Sequence, residues 1–224
     1  MGAVVLLSSS FIAAEEPAID PRDAIWIEGE RPAKSDVTRH PWWYDKVKKD
    51  VLSGGEWISN FSKEKEGLAE YEFGVIVADT YAFWMRANPL SAKLSYQLDS
   101  EAWVPIDLSK DQRGNINIAE DQKPDMRFLA WVKAGSVKLA AGRHTLKLKM
   151  HSENSHHGGV DCFTLTRIPF TPSGTTKPGV RKRNAGPSDW FEVTPDDDAF
   201  SMDSVIDRTG LLDAPAGIAR LSEA

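Results

Sequence analysis

Two groups of residues in this 224-residue chain have the types and spacing for chemistry. Glu28 and Glu30 flank Gly29, and in an extended strand side chains two positions apart leave from the same face, so both carboxylates reach one ion. Ca²⁺ takes about six to eight hard oxygen ligands of this kind. On an exposed edge strand the same pair reads as two solvated glutamates. The second group is aromatic: Pro41-Trp42-Trp43-Tyr44 places three rings in a row, and three consecutive rings cannot all point inward. Flat rings bind the apolar C–H faces of sugars, while polar groups such as Asn, Arg and His fix the hydroxyls. The same rings also serve as a plug over one end of a fold or as a contact with a neighbouring domain. Asn154, His156 and His157 add polar groups within 152–159. Adjacent histidines suggest a transition metal, but in extended chain they point to opposite sides, which favours ordinary loop histidines. Catalysis finds little support: no Gly-x-Ser-x-Gly, no His-Glu-x-x-His and no phosphate-cradling glycine loop occurs.

The elements that must position these groups are strands. From Asp23 to about Ile168 the dominant hydrophobic period is two. Thr145–Met150 alternates cleanly, sending Leu146, Leu148 and Met150 inward and the lysines outward. Tyr81–Arg86 and Lys93–Leu98 alternate in the same way, the latter after the turn at Asn88-Pro89. Further strands are expected at 24–28, 55–58, 69–77, 103–106, 129–133, 136–139 and 160–166. Ten short strands broken by Gly, Pro and Asp predict an all-β fold, a β-sandwich or jelly roll. Residues 41–51 have loosely helical spacing and read equally as an ordered loop. Trp26, Trp84 and Trp103 are expected in the core.

Several of these strands carry a recognisable order of motifs. The first reads Trp26-Ile27-Glu28-Gly29-Glu30, a central one Tyr81-Ala82-Phe83-Trp84-Met85-Arg86, and the next ends in Leu98-Asp99. The last two read Leu139-Ala140-Ala141-Gly142-Arg143-His144-Thr145-Leu146 and Val160-Asp161-Cys162-Phe163. In this order they resemble the galactose-binding-like β-sandwiches of carbohydrate-binding module families six and thirty-five, over roughly residues 23–168. The resemblance implies a structural Ca²⁺ held by Glu28, Glu30 and Asp161. It also implies polysaccharide or oligosaccharide binding by a loop aromatic between the first two strands, here Trp42, Trp43 and Tyr44. Asn154 is the nearest match to a sugar-binding Asn near the last strand, although its spacing to Asp161 is longer than usual; His156 and His157 lie beside it. Trp131 occupies a position that is structural in the family.

Composition bounds the rest. Hydrophobic residues at 41% and charged residues at 27% describe a folded globular protein. A net charge of −6 argues against nucleic-acid partners, which need a basic surplus on one face. A single cysteine, Cys162, excludes an intramolecular disulfide and Cys-cluster zinc sites. Residues 1–14 resemble the apolar core and cleavage site of a secretory signal without its basic start; they read either as such a signal, which points to a secreted or periplasmic protein, or as a plain apolar tail, and the stretch is too short to span a bilayer. Residues 169–189, rich in Pro, Gly, Ser and Thr, read as a linker. Residues 190–224 are similar to the lead-in of a family-five-type glycoside hydrolase, whose barrel needs about 200 further residues. The expected function is therefore a non-catalytic module that brings a catalytic domain or a cell surface to a polysaccharide. The alternatives are an interaction domain of the same fold and a small polysaccharide-degrading enzyme.

Overall fold

The computed structural model describes residues 19–180. The expected signal segment 1–14 and the tail 190–224 lie outside the described residues.

The chain folds into two antiparallel sheets that pack face to face. Strands β1 (Ala24–Glu28), β3 (Ile58–Asn60), β5 (Asp79–Ala87), β8 (Arg113–Asn117), β9 (Phe128–Leu139) and β11 (Gly158–Thr166) form the first sheet. Its order is β1-β11-β5-β9-β8, with β3 also paired to β11. The second sheet runs β2 (Lys34–Ser35), β4 (Gly67–Val75), β10 (Gly142–Met150), β6 (Leu94–Leu98) and β7 (Val104–Ile106). Two covered sheets with alternating inward residues make a β-sandwich, the fold class expected from the hydrophobic period. Leu146, Leu148 and Met150 of β10 do face inward, meeting Phe83 and Met85 of β5 and Phe163 and Leu165 of β11.

Differences from the expected strands have local causes. Residues 129–133 and 136–139 are one strand, β9, which bulges where its pairing to β5 shifts between Phe83 and Trp84. The short β2 and the polar β8 carry no apolar alternation to announce them. The stretch 41–51 is a turn followed by a single 3₁₀ turn at Lys49–Val51, with a second at Ser53–Gly55. The motif His144 is structural: Asp99 accepts from its ring at 2.9 Å and from the Thr145 N–H at 2.8 Å, tying β6 to β10.

Of the three tryptophans expected in the core, Trp84 is buried, Trp26 packs beside it half-buried, and both lie outside the space between the two sheets. Trp84 and Trp131 face away from the sandwich core, with Trp26 beside them, because β-strand alternation sends them to the far side of the first sheet. They are covered by chain beyond Ile168. Phe170 meets Trp131 edge-on at 5.6 Å and Trp84 at 6.3 Å, and the Trp131 indole N–H donates to the Gly174 carbonyl at 2.8 Å. The expected linker thus begins as a strap packed on the sheet. Trp103 is only half-buried on the second sheet, with the Lys149 ammonium 4.5 Å from its ring centre.

Candidate functional site

The loop that follows β2 carries the tryptophan pair, and two neighbouring segments fix it. His40 accepts the backbone N–H groups of Trp42 at 3.3 Å and Trp43 at 3.0 Å through Nδ1. Its ring stacks on Trp43 at 4.6 Å and is tilted against Phe61 at 4.1 Å. His157 stacks on the other side, 4.6 Å from Phe61, and comes within 5.9 Å of Trp43, so the aromatic loop and the histidine segment meet. Burial holds both histidines below the ordinary imidazole value; His157 and Arg127 lower His40 further, and His156 lowers His157 further.

The far side of the loop is braced by residues 118–127. Arg127 is buried; its guanidinium binds both oxygens of Asp125, reaches Asp121 at 2.8 Å and donates to the Lys46 carbonyl at 2.8 Å. Backbone bonds from Lys48 to Ile118 and from Glu120 to Lys46 complete the brace. A fork-shaped cation with several fixed acceptors holds a loop geometry that isolated ion pairs do not.

Trp42 stands out of this frame with 58% of its surface exposed, nearly perpendicular to Trp43. It borders two open clefts. One, of about 260 Å³, is apolar and basic, lined by His40, Trp43, Phe61, Lys63, Met126 and His157. The other, of about 350 Å³, is lined by Trp43, Lys46, Glu120, Asp121, Lys123 and Asp125.

The remaining sequence-predicted residues divide. Tyr44 turns inward instead of joining the tryptophans: its hydroxyl donates to the Trp57 carbonyl, its ring stacks on Trp57 at 5.9 Å, and Arg39 covers its outer face at 3.4 Å. Asn154 sits exposed in a left-handed turn, φ 58°, and lines neither cleft; His156 also stays outside both. His40, Phe61 and Arg127 belong to the site and escaped the sequence reading. The pattern His40-Pro41-Trp42-Trp43 held one signal, an acceptor side chain two and three residues ahead of free N–H groups.

A second constellation lies on β1 and β11. Glu28 accepts the Trp26 indole N–H at 2.9 Å through Oε1, while its Oε2 and the Oε2 of Glu30 are buried without a hydrogen-bond partner among the described residues. Burial raises the Glu30 carboxyl, and the negative charges of Glu28 and Asp161 raise it further. Both side chains close on Gly54, which has φ +62° and where an added Cβ would come 2.8 Å from Glu30 Oε1. Two orphaned carboxylate oxygens of like charge fit a hard cation. Asp161, the expected third ligand, is otherwise engaged. Arg86 donates to its Oδ2 at 2.7 Å and the Ser53 N–H donates to its Oδ1 at 2.9 Å, so a guanidinium already supplies its counter-charge. Through Ser53, Asp161 positions the loop that brings Gly54 to the glutamates.

Neither a protein-family model nor a curated protein matches the chain. Among solved structures it is similar to a β-(1,4)-mannanase of Podospora anserina that carries a family 35 carbohydrate-binding module, at 16% identity and TM-score 0.44, covering 67% of this chain and 29% of that one. It is also similar to a family 35 carbohydrate-binding module from an environmental isolate, at 14% identity and TM-score 0.43, covering 67% of this chain and 98% of that one. A family 35 module of Cellvibrio japonicus matches at 10% identity and TM-score 0.40, with 66% and 94% covered. The chain spans less than a third of the mannanase.

Proposed function

We propose that this β-sandwich is a non-catalytic module that binds a polysaccharide across Trp42 and attaches an enzyme or a cell surface to it. The observation that carries the reading is a tryptophan kept 58% exposed on a loop whose backbone is held on both sides. Exposed indole surface costs free energy in water, so holding it rigidly outward makes sense where a flat apolar ligand face covers it. Sugar rings supply such faces, and the lysines and carboxylates of the second cleft offer donors and acceptors to hydroxyls. Rigidity matters because side chains already ordered lose little entropy on binding.

The test compares Trp42→Ala with Trp84→Ala for polysaccharide affinity and for melting temperature. Trp42→Ala is expected to weaken binding by about 1–3 kcal/mol, the range of a dominant aromatic contact, and to change stability by no more than about 0.5 kcal/mol. Trp84→Ala opens a cavity under the strap and should destabilise by about 3–5 kcal/mol. Unchanged binding by Trp42→Ala would move the rings to the role of a protein-contact surface, the interaction-domain alternative.

The same reading includes a structural Ca²⁺ at Glu28 and Glu30, supported by their unpartnered oxygens. The ion would neutralise two carboxylates whose unpartnered oxygens are buried. Because the unfolded chain lacks the assembled site, saturation at about one hundred times Kd stabilises by about 2.7 kcal/mol. EDTA should lower the melting temperature and added Ca²⁺ restore it, whereas Glu30→Gln should melt at the same temperature in both. A parent melting curve indifferent to both reagents removes the metal.

A further inference from the structure

We infer that His40 is the positioning residue of the tryptophan pair and that a proton on its Nδ1 releases Trp42 and Trp43, so the site is open for capture at neutral pH and lost in acid. The ligand side of this statement rests on the proposed glycan-binding role; the switch itself does not.

The geometry begins with Pro41, which has no N–H, so Trp42 and Trp43 carry the first free donors of the turn. Both point at a single atom, His40 Nδ1, at 3.3 and 3.0 Å. This is the work of a helix N-cap performed by an imidazole. One lone pair on Nδ1 accepts both bonds, which requires the neutral ring with its hydrogen on Nε2. A proton on Nδ1 converts that acceptor into a donor facing two donors, and both bonds are lost together.

The surroundings oppose that proton. His40 is 6% exposed. Among the described residues, the ionisable and charged groups lining the apolar cleft and the small space of about 20 Å³ beside it are His157, Arg127 and Lys63, with no carboxylate in either lining. The Trp43 and Phe61 faces would welcome a cation, but burial, His157 and Arg127 together hold His40 below the ordinary value. The sign follows from that direction. The folded chain keeps His40 neutral to a lower pH than the unfolded chain does, so the loop is intact above the folded midpoint and fails as pH falls through it. The midpoint therefore lies below about 6.5, the value of a free imidazole.

The test needs no ligand at first. Backbone amide resonances of Trp42 and Trp43, and the ring nitrogens of His40, are followed by NMR in the full chain from neutral pH into acid. Both amides should move with one midpoint, the same as that of His40 Nδ1. His40→Asn supplies an acceptor that does not titrate, and in that variant the two amides should stay flat. Should His40→Asn fail to fold, the shared midpoint of amides and ring in the parent still decides. Flat amides in the parent, or amides that titrate equally in His40→Asn, overturn the proposal. Retention on an insoluble polysaccharide then separates the two readings. Parent retention should drop about tenfold per pH unit below the midpoint, while that of His40→Asn, whatever its level, should not change with pH. If no polysaccharide is retained at any pH while the amides titrate, the glycan-binding role fails and the switch stands.

Discussion

Asp161→Ala is expected to destabilise the fold by about 3–5 kcal/mol, the usual consequence of leaving one member of a buried ion pair alone. Asp161 and Arg86 are 0% and 1% exposed, and their contact is 2.7 Å. Burial pushes the Asp161 carboxyl up to about 6 against the pull of Arg86 and the Ser53 N–H, and the 2.7 Å contact with the guanidinium shows the pair formed. Arg86 also donates to the Val51 carbonyl at 2.9 Å. Removing the carboxylate therefore strands a guanidinium and frees the loop 51–54, whose Gly54 meets Glu28 and Glu30. Urea denaturation measures the loss, and a variant within about 1 kcal/mol of the parent would show that the pair carries little. Replacing both partners by Arg86→Met with Asp161→Leu should recover much of it, since apolar residues of similar volume owe no desolvation cost. The double variant should nevertheless show a weaker melting response to Ca²⁺, because the loop has lost its anchor.

Ending the chain at Ile168 rather than at Val180 should cost several kcal/mol. The cut removes Phe170 from the Trp84 and Trp131 faces and takes away the Gly174 carbonyl that accepts the buried Trp131 N–H. An orphaned buried donor costs about 1–3 kcal/mol, and re-exposing a Phe-sized contact about 1.5–3 kcal/mol. Purified chains ending at residues 168 and 180 are compared by thermal and chemical denaturation. The shorter chain should also bind a hydrophobic dye, because three tryptophans come into contact with water. Equal stability of the two chains would return 169–180 to the status of a linker.

The sandwich was legible because period-two alternation is a local property. Leu146, Leu148 and Met150, or Phe83 and Met85, declare one face of a strand whatever that strand pairs with. What alternation leaves unsaid is whether the other face is also covered. Trp84 reads as a core residue in either case, but only the returning strap makes its side of the sheet an interior. Composition is silent on the segment after Ile168 for the same reason: Pro172, Gly174 and Thr175 have the composition of a linker, yet the Phe170 ring and the Gly174 carbonyl meet the tryptophans of the first sheet. Polar β8 was missed because its pairing with β9 is a backbone matter that side-chain pattern does not record.

For the site, the sequence by itself determined the ingredients: a tryptophan pair in a loop, two glutamates on one strand face, and an aspartate on the last strand. Tertiary structure decided their roles. Tyr44 follows Trp42 and Trp43 directly and reads as their companion, yet its hydroxyl finds the Trp57 carbonyl inward and Arg39 covers its outer face. Asp161 reads as a ligand, yet Arg86, 75 residues earlier, reaches it first. His40 shows only a weak local signal, an acceptor placed ahead of Pro41, and the turn is what aims two N–H groups at its one nitrogen. Residue type sets which interactions a side chain is capable of, and those capacities are written locally. Which of them is realised depends on the partner brought within about 3 Å, and that is settled by pairing between distant strands.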